Sequence, residues 1–332
     1  MTNGMRDTVT RATSTAHDFV CAGETLAMFV PKSGTKDDGF SREYQLTAAG
    51  AESNVATYLS RLGNSVGWVS RVGDDHAGSF ILAYLESEGV STPTVEIDPE
   101  APTAVAVKEP GREKSTVRYY RRLSAASKLG TEHVDLILRL APKYIHLTGI
   151  TAALSQTSME FMEKALEVLP QHALVSFDVN LRPALWDTPP ADVLLQFASK
   201  SETAFVGLDE AKALWGATTP KQVRAILPKP LTLVVKQGPL GATVFRDGIS
   251  EFVPSLEVDL VEPVGAGDAF AAGFLDAHRK GEGVRDAARS GTVLACASLG
   301  SNRDIGDMPP ADYVQRLLDL SDDAWAKASY SP

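Results

Sequence analysis

Hydrophobic and polar positions follow two patterns along this chain. Short apolar runs, first at 18–23 and then repeatedly after residue 143, are typical of strands buried on both faces, and stretches with a helical period separate them. This regular alternation predicts an α/β domain with a mainly parallel sheet and helices on both sides. Two other stretches, about 25–47 and 95–124, look like short strands around polar or glycine-containing turns. They predict a small second sheet that stands off the main domain.

One domain is predicted over residues 18–322, because a chain of 332 residues is long enough to bury a large core. Residues 1–17 are rich in Thr, Arg and Ser and lack the apolar segment of a secretory signal, so we predict a disordered tail there. Residues 323–332 are predicted to form a C-terminal tail.

Composition narrows the possible partners. The net charge of −10 argues against nucleic acid or an anionic membrane, and no apolar run approaches the ~18 residues that a membrane helix needs. Cys21 and Cys296 have apolar neighbours, as core residues in a reducing compartment do. We therefore predict a cytoplasmic protein.

The densest candidate chemistry lies at 261–275, which reads VEPVGAGDAFAAGFL. Gly265, Ala266 and Gly267 can bring consecutive backbone N–H groups together at a helix start, where unpaired donors and the helix dipole attract anions. Asp268 follows, and its carboxylate could take a proton from an attacking hydroxyl beside that anion site. An Asp-capped helix after a glycine turn is the purely structural alternative.

Two other phosphate-binding motifs are excluded by the sequence. The chain contains no G-x-x-x-x-G-K-[ST], so it has no Walker-type loop. The dinucleotide pattern G-x-G-x-x-G fails because Phe270 stands at the position of the third glycine. The missing glycine weakens the case for a nicotinamide-dependent oxidoreductase.

Two widely separated motifs resemble those of the ribokinase-like (PfkB-type) sugar kinases. Residues 263–275 resemble the glycine-turn helix of that family, with Glu262 where the family usually has Asp. The other motif, A/G-G followed by N-x-A and two spaced glycines, is matched by Ala49, Gly50, Asn54, Ala56, Gly63 and Gly73. The resemblance covers residues 18–320. It implies a ribokinase-like three-layer domain whose small β sheet forms a lid over the acceptor.

Membership of that family implies ATP-dependent phosphorylation of a small hydroxyl compound. Asp268 then becomes the general base, and the three amides of 265–267 hold the transferring phosphoryl group, which is mainly a task of positioning and charge stabilisation. Gly50 and Asn54 become acceptor-side residues. The residues implied on the nucleotide side are Asn180, Lys236, Gly238 and Gly241. An ordinary strand-to-hairpin turn is the alternative for 236–241.

The resemblance also bears on metal ions. The family uses an N-x-x-E motif to hold the magnesium-water shell near the phosphates, and here residues 207–210 read GLDE. Glu210 matches and the asparagine is absent, so Glu210 is the predicted magnesium-side residue. A monovalent cation often assists such enzymes through carbonyl groups of the glycine turn, but 262–264 departs from the family sequence. Whether this protein uses that cation is left open.

Two segments resemble 2-keto-3-deoxygluconate kinases, VRYYRRLSAAS at 117–127 and DVNLRPALW at 178–186. Tyr119 and Arg121 share one face of a strand by the two-residue period, and Arg182 follows a strand near the carboxyl ends where α/β folds bind ligands. Guanidinium groups suit a carboxylate, so these three residues predict a sugar-acid acceptor. For Arg121 a solvated basic strand face is the alternative, and Arg182 could instead serve the phosphates.

Other functions stay open at this point. A PfkB-type kinase of a neutral sugar such as fructose or ribose would not require the arginines. Ala104, Val105 and Ala106 stand where relatives often present an aromatic residue to the acceptor, so the acceptor could differ in size. A non-catalytic sugar-acid sensor on the same fold is favoured by Gly207 and Glu262 and opposed by Asp268. A homodimer through the lid is expected from the resemblance alone.

Overall fold

The computed structural model describes residues 16–32, 43–109, 116–301 and 303–332. The strands in this part of the chain are β1 (Phe19–Ala22), β2 (Leu26–Pro31), β3 (Tyr44–Ala49), β4 (Val66–Val69), β5 (Arg71–Gly73), β6 (Glu96–Asp98), β7 (Val105–Glu109), β8 (Thr116–Tyr120), β9 (Tyr144–Thr148), β10 (Leu174–Asp178), β11 (Thr203–Gly207), β12 (Thr232–Lys236), β13 (Gly241–Arg246) and β14 (Ile249–Pro254). The α-helices are α1 (Ala51–Arg61), α2 (His76–Ser87), α3 (His133–Arg139), α4 (Gly149–Ala152), α5 (Gln156–Val168), α6 (Ala191–Lys200), α7 (Leu208–Trp215), α8 (Pro220–Ile226), α9 (Ala266–Arg279), α10 (Val284–Leu299), α11 (Ala311–Leu318) and α12 (Asp322–Trp325). Within these residues no helix is both long and apolar enough to cross a membrane.

The main sheet has the strand order β14-β13-β12-β11-β10-β9-β1-β4. Its strands pair in parallel from β4 to β12, and β13 and β14 add an antiparallel hairpin at one edge. Along β1, Phe19 and Cys21 join the core beneath α1, α2, α9 and α10, whereas Val20 and Ala22 join the core beneath α3, α5 and α6. A sheet buried on both faces produces the three layers, and the predicted α/β class is confirmed.

The second sheet, which we call the lid sheet, has the order β3-β2-β7-β8. Leu26, Met28 and Val30 point to one face of β2 and form a small core with Ala104 and Ala106. The opposite face follows the same two-residue period and leaves aromatic side chains exposed. The predicted second sheet is confirmed. The polar turn predicted at 33–39, and all but the first residue of the turn predicted at 109–112, lie outside the described residues.

Helices α9 and α10 pack with their backbones in contact. A Cβ atom on Gly273 would lie 2.6 Å from the carbonyl oxygen of Ser290, and one on Gly291 would lie 2.7 Å from the carbonyl oxygen of Phe270. Glycine therefore stands on both sides of the contact, because any side chain would push the helices apart. This contact fixes α9 in the main domain.

The C-terminal residues differ from the prediction of a tail. Trp325 is 1% exposed, and its Nε1 donates a hydrogen bond of 2.9 Å to the carbonyl oxygen of Pro254. The N–H of Tyr330 donates to the carbonyl oxygen of Glu257 at 2.7 Å. The short α12 gives no periodic signal, so sequence patterns missed this packing. Of the predicted N-terminal tail, residues 1–15 lie outside the described residues, and His17 is buried.

Candidate active site

The N-terminus of α9 forms a turn of residues 265–268, which we call the glycine turn. Gly265 has a φ of +83°, and a Cβ atom there would lie 2.0 Å from the carbonyl oxygen of Asp304. Only glycine fits this conformation and this space. The first N–H groups of the helix, including those of Ala266 and Gly267, have no partner within the helix and lie at the positive end of its dipole. The structure thus places the predicted amides at the start of a 14-residue helix.

Asp268 lies in the first turn of α9, beside these amides. Its Oδ2 accepts a hydrogen bond of 2.8 Å from Nδ2 of Asn54. Burial raises the pKa of Asp268 to about 7, while the hydrogen bond from Asn54 acts in the opposite direction. A carboxyl group that titrates near neutral pH is well matched to general base catalysis.

The start of α1 brings Asn54 to the site. A Cβ atom on Gly50 would lie 2.3 Å from the carbonyl oxygen of Glu24, so glycine lets α1 begin against the segment that leads into β2. Asn54 is 2% exposed and projects from the first turn of α1 towards α9. Both residues were predicted on the acceptor side. The structure adds a contact between Asn54 and the candidate base, which sequence reasoning did not foresee.

A buried ion pair lies behind the glycine turn. Lys236, at the end of β12, donates to Oδ2 of Asp178 at 2.6 Å, and Asp178 ends β10. A Cβ atom on Gly267 would meet Nζ of Lys236 at 3.4 Å. Burial works to lower the pKa of Lys236, but Asp178 and Glu210 outweigh it and hold that pKa above its usual value. Lys236 therefore stays protonated, paired with Asp178 and close to Gly267.

Asn180 and Arg182 follow β10 in the same loop. Asn180 is buried with a φ of +38°, and its N–H donates to Oδ1 of Asp178 at 3.2 Å. Arg182 is exposed, its Nη1 donates to the carbonyl oxygen of Leu181 at 3.1 Å, and among the described residues it has no carboxylate partner. This loop follows Asp178, whose partner Lys236 lies close to Gly267, and the positive charge of Arg182 lowers the pKa of both Asp268 and Asp304. An anionic ligand at this turn would find Arg182 available.

Glu210 links two segments of the main domain through its carboxylate. Its Oε2 accepts from the N–H of Gly207 at 2.6 Å, and its Oε1 accepts from the N–H of Leu181 at 2.7 Å. Burial raises the pKa of Glu210, and Lys236 opposes that rise. The residue therefore fixes the start of α7 and the loop after β10, in addition to its predicted place near magnesium.

The donor set bears on how a metal could be held. No group of three or more His, Cys, Asp or Glu side chains in the described part of the chain is arranged to hold a metal ion. Magnesium usually keeps several waters and binds through one or two carboxylates together with substrate phosphates. Carboxylate oxygens have further lone pairs, so Glu210 fits a hydrated ion carried by a nucleotide rather than a dedicated protein cage.

Gly238 and Gly241 have different roles in the segment after β12. Gly241 has a φ of +126°, and a Cβ atom there would lie 2.1 Å from the carbonyl oxygen of Val253, so the β13–β14 hairpin requires glycine. Gly238 has a φ of +57° and faces open space. Hairpin geometry accounts for Gly241, and nucleotide binding at Gly238 stays a prediction.

Arg121 leaves the lid sheet just after β8 and forms an ion pair with Glu24. The distance from its Nη2 to Oε2 of Glu24 is 2.6 Å, and the Glu24 side chain is 1% exposed. Burial raises the pKa of Glu24, and Arg121 counteracts that effect. The guanidinium also lies 5.7 Å from the ring centre of Tyr119, which is half exposed. Arg121 was predicted to hold the carboxylate and keto end of the acceptor together with Arg182, and in the structure its guanidinium is paired with Glu24.

Three further charged residues gather beside the glycine turn. Burial raises the pKa of Asp304 to about 6, with Lys108 lowering it and Glu262 raising it. Lys108 belongs to β7 and forms an ion pair with Glu262. Sequence reasoning missed Lys108 and Asp304 because they belong to neither family motif, and it noted Glu262 only as a departure.

Fold and site together define a small-molecule phosphotransferase. A helix N-terminus presents amides to an anion, a carboxylate that titrates near neutral pH lies beside it, and a second sheet stands next to both. Such a site positions a phosphoryl group and a hydroxyl acceptor.

The family is shown by comparison with known proteins. The pfkB family of carbohydrate kinases matches residues 16–311, and the chain belongs to that family. It is therefore an ATP-dependent sugar kinase, in a family whose members use ATP and a divalent metal.

Similar proteins include two called 2-dehydro-3-deoxygluconokinase. The one from Bacillus subtilis (strain 168) is 34% identical over 91% of this chain and 95% of its own length. The one from Thermoproteus tenax is 32% identical over 83% of this chain and 86% of its own length. The crystal structure of a PfkB protein from Polaromonas sp. JS666 aligns with a TM-score of 0.79 at 32% identity, over 86% of this chain and 97% of that one.

Proposed function

We propose that this kinase phosphorylates the terminal hydroxyl of a 2-keto-3-deoxy sugar acid such as 2-keto-3-deoxygluconate, which is also called 2-dehydro-3-deoxygluconate. The observation that carries the proposal is the exposed Arg182 in the loop after β10, the strand whose Asp178 pairs with Lys236 beside Gly267. Its positive charge suits an acid more than a neutral sugar. The two 2-dehydro-3-deoxygluconokinases of similar sequence support the same acceptor.

In this mechanism Asp268 takes the proton from the acceptor hydroxyl as its oxygen attacks the γ-phosphorus of ATP, while the bond from that phosphorus to the bridging oxygen breaks and ADP leaves. The amides of Gly265, Ala266 and Gly267 hold the charge on the phosphoryl oxygens, and Lys236 strengthens that field from behind. Magnesium bound with the nucleotide would neutralise phosphate charge, and Glu210 is the residue that would hold its water shell. The proposed nucleotide-side residues are Asn180, Lys236, Gly238 and Gly241.

On the acceptor side, Arg182 and Arg121 divide the work. Arg182 holds the carboxylate and keto end of the acid, because among the described residues its guanidinium has no carboxylate partner and bonds only the carbonyl oxygen of Leu181. Arg121 has its charge paired with Glu24, so it orients the sugar chain through its remaining N–H donors together with Tyr119. Gly50 and Asn54 are the other proposed acceptor-side residues, and they lie where α1 begins beside the segment that leads into the lid sheet.

Steady-state kinetics test the acceptor. ADP release is measured with Mg-ATP and a panel of 2-keto-3-deoxygluconate, fructose and ribose. A charge-assisted hydrogen bond contributes about 1.5–3 kcal/mol, so Arg182→Ala should lower kcat/KM for the acid by roughly 10- to 150-fold. The same variant should change the fructose value far less. Preference of the unaltered protein for fructose or ribose would overturn the acceptor and leave the kinase assignment standing.

A kinase of a neutral sugar is the second candidate, and the Glu24–Arg121 ion pair favours it. With Arg121 neutralised, the lid side of the site presents little net positive charge. If fructose is the better acceptor and Arg182→Ala impairs ATP use with every sugar alike, Arg182 serves the phosphates and this second candidate holds.

Three finer points belong to the proposal. Glu262 is paired with Lys108, so we expect no requirement for a monovalent cation, which replacing potassium by tetramethylammonium in the assay would test. Phe29 (38% exposed), Tyr44 (37%) and Tyr120 (60%) lie on the outer lid face and suit a homodimer, measurable by analytical ultracentrifugation. The free, buried thiols of Cys21 and Cys296 suit the reducing cytoplasm.

A further inference from the structure

The Lys108–Glu262 ion pair joins the lid sheet to the segment that leads into the glycine turn. The Lys108 side chain is 14% exposed and that of Glu262 is 13% exposed, so water screens the pair little. Lys108 shares the face of β7 that carries Ala106, which is the face with the small lid core. The pair therefore spans the boundary between the lid sheet and the main domain.

Glu262 is held in place by the backbone around it. The N–H groups of Val261 and Glu262 both donate to the carbonyl oxygen of Leu299, at 2.8 and 3.2 Å. Three residues later, Gly265 packs against the backbone carbonyl of Asp304. The charges of Lys108 and Glu262 both act on the pKa of the Asp304 carboxyl group. A displacement of Lys108 would therefore affect the segment of Glu262 and the segment of Asp304, which together shape the glycine turn.

Other ion pairs of the lid sheet do not make this connection. Arg118 pairs with Glu109 at 3.0 Å on the neighbouring strands, and the two side chains are 61% and 44% exposed. Arg121 pairs with Glu24 at the base of the sheet. Within the described residues, Lys108–Glu262 is the ion pair that links a lid strand to the segment before α9.

We propose that Lys108 and Glu262 are a positioning pair that holds the lid sheet closed over the glycine turn. The lid then keeps the acceptor hydroxyl against Asp268 and keeps water away from the phosphoryl group. This role rests on the proposed phosphoryl transfer to an acceptor beneath the lid. Lys108 acts through Glu262 and does not itself touch the reacting atoms.

Variants that remove one charge test the pair, with a matched control. Lys108→Met and Glu262→Gln should each raise the acceptor KM about tenfold, with a smaller change in kcat. A tenfold change lies between the small loss caused by breaking an exposed ion pair and the large loss caused by breaking a fully buried one. The double variant should lose no more than either single variant, because the two residues act as a unit. Arg118→Met removes the same charge from the same hairpin and should leave kinetics unchanged.

Two further measurements separate this proposal from the kinase proposal. Hydrogen exchange of the β7 and β8 amides should become faster in Lys108→Met but not in Arg118→Met, whether or not an acceptor is known. ATP hydrolysis without acceptor should rise relative to phosphoryl transfer when the pair is broken. Exchange and kinetics of Lys108→Met that match those of Arg118→Met, in a folded protein, would overturn the positioning role. Faster exchange in a protein that phosphorylates none of the acceptors would uphold the pair and sink the acceptor proposal.

Discussion

Removing the Asn54 amide should move the acid limb of the pH–rate profile, because that amide stabilises the charged form of Asp268. The hydrogen bond of 2.8 Å lowers the pKa of a carboxyl group that burial raises to about 7. A hydrogen bond to a charged group contributes about 1.5–3 kcal/mol, and 1.36 kcal/mol corresponds to one pKa unit. Asp268 is partly exposed, so water replaces some of the loss, and we expect Asn54→Ala to raise the pKa by about one unit.

The expected profile follows from the fraction of ionised Asp268. At pH 7 that fraction falls from about half to roughly a tenth when the pKa rises by one unit. Relative to the unaltered protein, Asn54→Ala should therefore lose about fivefold more activity at pH 7 than at pH 9, in addition to a pH-independent loss from its missing acceptor-side contact. The measurement is kcat/KM from ADP release between pH 5.5 and 9, because that ratio reports ionisation of the free enzyme.

Asn64 provides a matched control. Its Nδ2 donates to Oδ1 of Asp276 at 2.9 Å, so it also joins the α1 side of the domain to α9, further along that helix. Asn64→Ala should cost stability and leave the acid limb in place. A rate for Asn54→Ala that is lowered equally at every pH would refute the assignment of Asp268 as the base whose pKa Asn54 sets.

The other predictions concern the glycine turn and Glu210. Asp268→Asn should lower kcat by roughly 10² to 10⁴ in steady-state assays while calorimetry still detects ATP binding, and near-normal turnover would exclude a catalytic base at this position. Gly265→Ala should destabilise the protein by at least about 1–3 kcal/mol in urea unfolding, because its φ of +83° and the Asp304 carbonyl leave no room for a side chain. Gly267→Ala, with only Nζ of Lys236 at 3.4 Å, should be milder. Glu210→Gln should leave one backbone N–H without an acceptor at a cost of about 1–3 kcal/mol, seen as a lower melting temperature. An unchanged melting temperature together with a higher magnesium requirement would instead show that Glu210 acts through the metal and does not stabilise the fold.

Much of the fold was predictable because local pattern and global architecture agree. Apolar runs buried on both faces mark β1 and β9–β12, which belong to the parallel part of the main sheet. The C-terminal segment escaped prediction because one side chain, Trp325, holds it in place. A single buried anchor leaves no periodicity to detect.

The candidate site divides along similar lines. The glycine turn and Asp268 were visible because four consecutive residues carry the chemistry. Contacts such as Asn54–Asp268, Arg121–Glu24 and Lys108–Glu262 were not, because each depends on how separate elements meet. A sequence motif shows which residue types are present, whereas the partner of a charge is decided by tertiary packing.

The contact between α9 and α10 has a consequence for how such an enzyme diversifies. Gly273 and Gly291 lock α9, so the base and the anion-binding amides belong to a part of the molecule that tolerates little change. Of the residues proposed to meet the acceptor, Tyr119 lies on the separate lid sheet and Arg182 lies in the loop after β10. New acceptors can therefore be recruited by substitutions in the lid sheet and in the loop of Arg182 while Asp268 and the glycine turn are kept, which makes these two segments the place to begin laboratory evolution of acceptor range.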